Sequence, residues 1–178
     1  MAYHSDLKDI IHVKVNAKQI KLPKKGGSAS TLATAVERYV NEKIKRAKTE
    51  LAPNIGLTLA IADKFAQQNA IRRLNAICEG DLLNSIMYES IGGSSTSVSY
   101  RVGTNITEKY PHYVQYGRPE ISLTGKRAMK FKPKCRGNYI IAKHVEEAKP
   151  KPYKTQSEAE FKGQIEHYVR SEIDRVLS

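Results

Sequence analysis

The 178-residue chain carries 30 Lys and Arg against 18 Asp and Glu, a formal charge of +12, with 40% hydrophobic residues and no tryptophan. That length suits one domain with a real core, and the charge favours a polyanion, either nucleic acid or the acidic face of a partner. No apolar run approaches the ~18 residues needed to cross a bilayer, and no charged-then-apolar leader pattern opens the chain, so a soluble protein made in a cytoplasm, with no membrane partner, is expected.

Ile11, Val13 and Val15 alternate with His12 and Lys14, the period of a half-buried strand. Asn16-Ala17-Lys18 reads as a turn, and Ile20 and Leu22 as a short returning strand, so residues 1–28 form an N-terminal hairpin arm closed by the loop Pro23–Gly27. Lys14 to Lys25 hold five lysines and no acid. Ser28 or Ser30 is placed to cap a helix over about 29–51, with Leu32, Val36, Tyr39/Val40, Ile44, Ala47 and Leu51 on its apolar face. Pro53 is expected to end it. Leu57–Glu79 reads as a second helix, apolar on more than one side and so touching more than one surface, with Gly80 as its stop.

Ser85–Ile91 is expected to be a strand, Gly92–Thr96 a turn, and Val98, Tyr100 and Val102 the returning strand of a hairpin. Tyr110–Gly117 reads as a short helix with Pro111 in its first turn. The spacing of Tyr110, Tyr113 and Tyr116 favours one packed face over a base-stacking platform. Residues 120–126 read as a loop. Met129 and Phe131 alternate with Lys130 and Lys132, Cys135–Asn138 is a turn signal, and Tyr139–Val145 is a strand, giving a long hairpin over 127–145. Lys126, Arg127, Lys130, Lys132, Lys134 and Arg136 make six cations without an acid, the best candidates for touching a partner or DNA. Lys149–Tyr153 is an extended loop. Ser157-x-x-Glu160 is a capping box, and Phe161, Ile165, Tyr168/Val169, Ile173 and Val176/Leu177 mark a terminal amphipathic helix. The expected class is α+β: a mainly antiparallel sheet of about four to six strands against two or three long helices, with 29–178 as a single domain.

Chemistry is hard to find. His4, His12, His112, His144 and His167 are scattered, with no HExxH, nucleophile elbow or Walker loop. His112 reads as a packing or hydrogen-bonding residue, His144 as facing solvent or the sheet, and Asp81 as a cap. Cys78 and Cys135 lack any CxxC or His company and read as reduced thiols. No catalytic residue, cofactor or metal ligand is assigned, and the chain is not read as an enzyme.

The order of elements carries a resemblance. Leu51-Ala52-Pro53 closes a helix, Gly80-Asp-Leu-Leu-Asn-Ser-Ile86 opens a strand, and Val98–Gly103 follows. Tyr110-Pro-His-Tyr-Val-Gln-Tyr-Gly117 precedes the basic hairpin, then come Pro150-Lys-Pro-Tyr153 and the last helix. Over roughly residues 30–178 this resembles the tail-component family of tailed bacteriophages, the neck and tail-completion proteins of head–tail joining modules. Gly80, Leu82, Ser85, Ile86, Tyr113, Val114, Tyr116 and Gly117 are the signature positions. Glu79 stands where the family has Thr, Gln115 where it has an acid, and Tyr153 where it has Phe. The 26 residues Asn54–Glu79 separate segments that lie close together in the family. The resemblance implies a non-enzymatic virion protein, assembled in a host cytoplasm, forming a homo-oligomeric ring, usually taken as hexameric. Its partners would be the head connector or stopper, the tail terminator or tail tube, and packaged DNA in the channel. The alternative is a basic nucleic-acid-binding protein whose hairpin 126–136 contacts phosphates.

Overall fold

The structure is a computed structural model that describes residues 8–16, 31–74, 80–107, 109–125, 128–131, 138 and 140–178. Among these residues the order is β1 (Lys8–Lys14), α1 (Thr31–Arg73), α2 (Asp81–Ser85), β2 (Ile86–Ser94), β3 (Ser97–Thr104), α3 (Tyr110–Tyr116), β4 (Ile121–Ser122), β5 (Met129–Phe131), β6 (Ile140–Ala142), β7 (His144–Val145) and α4 (Tyr153–Leu177). The class is α+β with antiparallel sheets, but there is no single sheet of four to six strands among the described residues. β1, β3 and β2 form a three-stranded sheet in that order, and β4 with β7 and β5 with β6 form two separate pairs. The last four strands are only two or three residues long and, among the described residues, pair only with each other. No helix among the described residues is long and apolar enough to cross a membrane.

The two helices expected on either side of Pro53 are one. α1 runs for 43 residues with Pro53 inside it. Proline removes a helical hydrogen bond and crowds the preceding turn, at a cost of about 3 kcal/mol. Burial offsets that cost, because Leu51, Ala52, Ile55, Leu59 and Ala60 form an unbroken buried face past the proline. The capping box at Ser157 is also displaced. α4 already begins at Tyr153, and Ser157 lies inside it, fully buried, donating its hydroxyl to the carbonyl of Lys154 at 2.8 Å. The returning strand at Ile20 and Leu22, the cap at Ser28 or Ser30, and both cysteines lie outside the described residues.

The chain divides into two compact units: Met1–Asp9, Asp63–Met87 and Val102–Lys162 in one, and Ile10–Ala62, Tyr88–Arg101 and Gly163–Ser178 in the other. In the second unit α1 meets β3 closely. A methyl on Gly56 would lie 2.4 Å from Val98 Cγ1 and 3.1 Å from Tyr100 Cε2, so only glycine allows this approach. β2 extends through Gly92 and Gly93, which shortens the expected turn to Ser95 and Thr96. Arg101 donates to Glu89 across the hairpin at 2.9 Å, and Thr58 on α1 donates to Glu172 on α4 at 2.8 Å.

The first unit holds the main core. Ala70, Ile71, Leu82, Ile86 and Tyr153 are buried together, with Leu74, Leu83, Tyr110 and Val114 packed against them. Four segments far apart in sequence thus share one apolar centre, which is the long-range burial that stabilises a small domain.

Candidate functional site

Several of the residues that carry the resemblance hold the fold together. Gly80 takes a left-handed backbone (φ 77°) ahead of α2. Leu82 and Ile86 enter the core. Buried Ser85 donates to the Leu82 carbonyl at 2.8 Å and shares a 2.7 Å hydrogen bond with Thr104 at the end of β3. α2 precedes β2, so the expected strand start at Ser85 lies one residue early.

α3 matches its expected span and ends at Gly117, whose N–H donates to the Tyr113 carbonyl at 2.9 Å. Gly117 has φ 82°, and a Cβ there would sit 2.7 Å from the Ala148 carbonyl oxygen. Both facts demand glycine. Val114 packs on the core and its carbonyl accepts from Lys151 N–H at 2.7 Å. The tyrosines do not share one packed face. Tyr110 packs on the core, whereas Tyr116 is 50% exposed, with its ring 4.7 Å from that of His112. Each step of three residues falls about 60° short of a full turn, so Tyr110 and Tyr116 at the two ends of the helix lie about 120° apart around its axis.

Gln115, which the sequence offered only as a departure from an acid, turns out to be central. It is buried. Its Oε1 accepts from the Lys154 N–H at 3.0 Å, and its Nε2 donates to Thr155 Oγ1 at 3.3 Å. It therefore caps the first turn of α4, satisfying a backbone donor that has no partner within the helix. A carboxylate would suit the same place, since a helix N-terminus favours negative charge.

From Gly117 the chain enters a long antiparallel arm. Arg118 and Ala148 exchange two backbone hydrogen bonds of 2.9 and 2.8 Å. Ile121 faces Val145, and Ser122 faces His144. Further out Met129, Lys130 and Phe131 face Ala142, Ile141 and Ile140. The expected hairpin over 127–145 is present in β5 and β6, but its base reaches back to Arg118, so residues 121–122 are strand instead of loop. Short, partly regular strands defeat periodicity, which needs four or more residues to show. An open depression of about 500 Å³ is lined by Arg118, Ile121, Met129, Lys130 and Val145.

Of the six candidate cations, Lys130 lies on β5; Lys126, Arg127, Lys132, Lys134 and Arg136 lie outside the described residues. Exposed on the same arm are Lys143 and three large apolar side chains, Ile121, Leu123 and Ile141, the last 69% exposed. Exposed His144 hydrogen-bonds Ser122 at 2.9 Å and lies 3.4 Å from Glu120.

A second cluster leaves little mark in the sequence. Asp63 on α1 is 1% exposed. Gln67, one turn on, donates its Nε2 to Asp9 Oδ2 at 3.1 Å and lies 3.3 and 3.4 Å from the Asp63 oxygens. Gln67 Oε1 is buried without a hydrogen-bond partner among the described residues. Lys154 Nζ, almost fully buried, pairs with Asp9 Oδ1 at 3.2 Å. Burial first, then the charges of Asp9 and Glu158, push the Asp63 carboxyl up to about 7 against the Gln67 hydrogen bond and Lys154. A polar i, i+4 pair inside an Ala-rich stripe was the available signal. Among the described residues no group of three or more His, Cys, Asp or Glu could hold a metal ion.

Comparison with protein-family models, curated proteins and solved structures gives no match.

Proposed function

We propose that this chain is a structural assembly subunit, a neck or tail-completion protein of a tailed phage, and that it forms a homo-oligomeric ring between head connector and tail. The arm Arg118–Ala148 carries the proposal. It is two strands wide at both of its pairs, and two-stranded ribbons are marginal in water on their own. Yet it leaves Ile121, Leu123 and Ile141 exposed and its strand edges open among the described residues. Such a ribbon gains stability by laying its apolar face and free backbone groups on a neighbour. A heterologous contact of this kind closes into a ring when the rotation permits. The signature segment α3 fixes the base of the arm, and the basic residues suit a DNA-lined channel, where phosphate attraction is independent of sequence.

Electron micrographs of the purified protein, alone and with its connector, are expected to show rings, and loss of the protein is expected to leave filled heads beside unattached tails. A strictly monomeric protein with no affinity for any virion part would sink the proposal.

One observation favours a second reading, nucleic-acid binding by the arm. Residues 121–145 contain seven Lys and Arg and no acid. That reading requires DNA affinity that drops steeply with salt and drops again when Lys130, Lys132 and Lys134 are changed to Glu. Unchanged affinity in the triple variant removes the arm from it.

A further inference from the structure

We propose that Asp9, Asp63, Gln67 and Lys154 form a proton-operated latch on the start of β1, closed while Asp63 carries a proton and released when Asp63 gives that proton to water. The geometry supplies the parts. Asp9 is the second residue of β1 and is held by two groups from elsewhere in the same unit: the Gln67 amide of α1 at 3.1 Å and the Lys154 ammonium of α4 at 3.2 Å. Asp63 adjoins this junction through the same Gln67 amide.

The charged groups acting on Asp63 are Asp9 from β1 and Lys154 and Glu158 from α4. With Asp63 neutral, one ammonium balances one nearby carboxylate, with Glu158 the third acid. Ionised, Asp63 adds a buried negative charge beside the partly exposed Asp9 carboxylate, with one ammonium to share, a costly arrangement in a low dielectric. The two carboxylates are not equally free to respond. Asp63 sits on a helix and is 1% exposed, while the Asp9 side chain is 27% exposed at the start of a strand. Asp9 therefore moves to water, Lys154 turns to Asp63, and the first residues of β1 come away. The position of the Asp63 titration, about 7, puts this change in the neutral range.

Amide hydrogen exchange on the full chain between pH 5 and 8.5, corrected for the intrinsic exchange rate, tests it. The protection of residues 9–10 is expected to fall about tenfold per pH unit as the pH rises toward 7, as release of one proton requires, and then to level off. Helical amides at 67–71 share the fall in global stability but are expected to stay better protected than residues 9–10 at every pH. Asp63→Asn mimics the protonated acid and is expected to keep residues 9–10 protected throughout. Asp9→Asn removes the charge that opposes ionisation of Asp63, so the fall ends at a lower pH. The latch is overturned by a flat profile in the wild type, by the same slope in Asp63→Asn, by an unshifted profile in Asp9→Asn, or by protection at residues 9–10 equal to that at 67–71, which would mean global unfolding.

Discussion

Gly56 is the sharpest structural test, because two opposing effects act on one methyl group. Helix interiors favour Ala over Gly by about 1 kcal/mol, so Gly56→Ala in a free helix would stabilise. Here the new Cβ falls 2.4 Å from Val98 Cγ1 and 3.1 Å from Tyr100 Cε2. Val98 is buried and β-branched, so its χ1 has little freedom to give way. Overpacking of this kind costs about 1–3 kcal/mol, and against the helical gain the net expectation is a loss of up to about 2 kcal/mol. Val98→Ala alone is expected to lose about 2 kcal/mol through lost burial. Together they relieve each other: the methyl added at position 56 enters the space that the Val98 side chain vacates. The double variant should then be more stable than the sum of the singles by about 1–3 kcal/mol. Urea unfolding followed by far-UV circular dichroism, with unchanged slopes, measures all four corners of the cycle. A stabilised Gly56→Ala, or additive losses, would refute the close approach of α1 to β3.

Gln115→Ala is expected to lose about 1–2 kcal/mol with the cap on α4, whereas Gln115→Glu retains the acceptor and should lose far less; equal losses in urea melts would show that the cap is not the reason. Ile141→Asp, at a site 69% exposed, should leave the monomer's stability within about 0.5 kcal/mol and abolish rings on size-exclusion chromatography; intact rings would clear the arm's outer face of a role. Because the folded state raises the Asp63 pKa from 3.8 to about 7, its contribution to stability is full below the unfolded value and is lost as pH rises toward 7, by roughly 4 kcal/mol at most. Asp63→Asn should flatten that part of the stability–pH curve, and an unchanged curve would assign the loss to other groups.

Local chemistry was legible in the sequence at the turns and strands where no distant contact overrode it. Pro111 and Gly117 bracket α3 in the sequence as they do in the fold, because one fits a helix's first turn and the other takes a positive φ. The alternation at Val98, Tyr100 and Val102 announced β3, and that at Met129 and Phe131 announced β5, because a strand's period is fixed by its backbone. The α+β class followed from those periods.

What packing decided was not legible. Pro53 ends a helix by every local rule, yet α1 continues because buried residues lie on both sides of it. The junction of Leu82, Ile86, Val114 and Tyr153 in one core and the capping of α4 by a glutamine nearly forty residues upstream belong to contacts between distant segments. So does the meeting of Asp9, Asp63 and Lys154. Sequence periodicity reports how each segment meets water or apolar surroundings. It carries no label for which distant segment supplies those surroundings, and only the folded chain brings such partners within a few ångströms of each other.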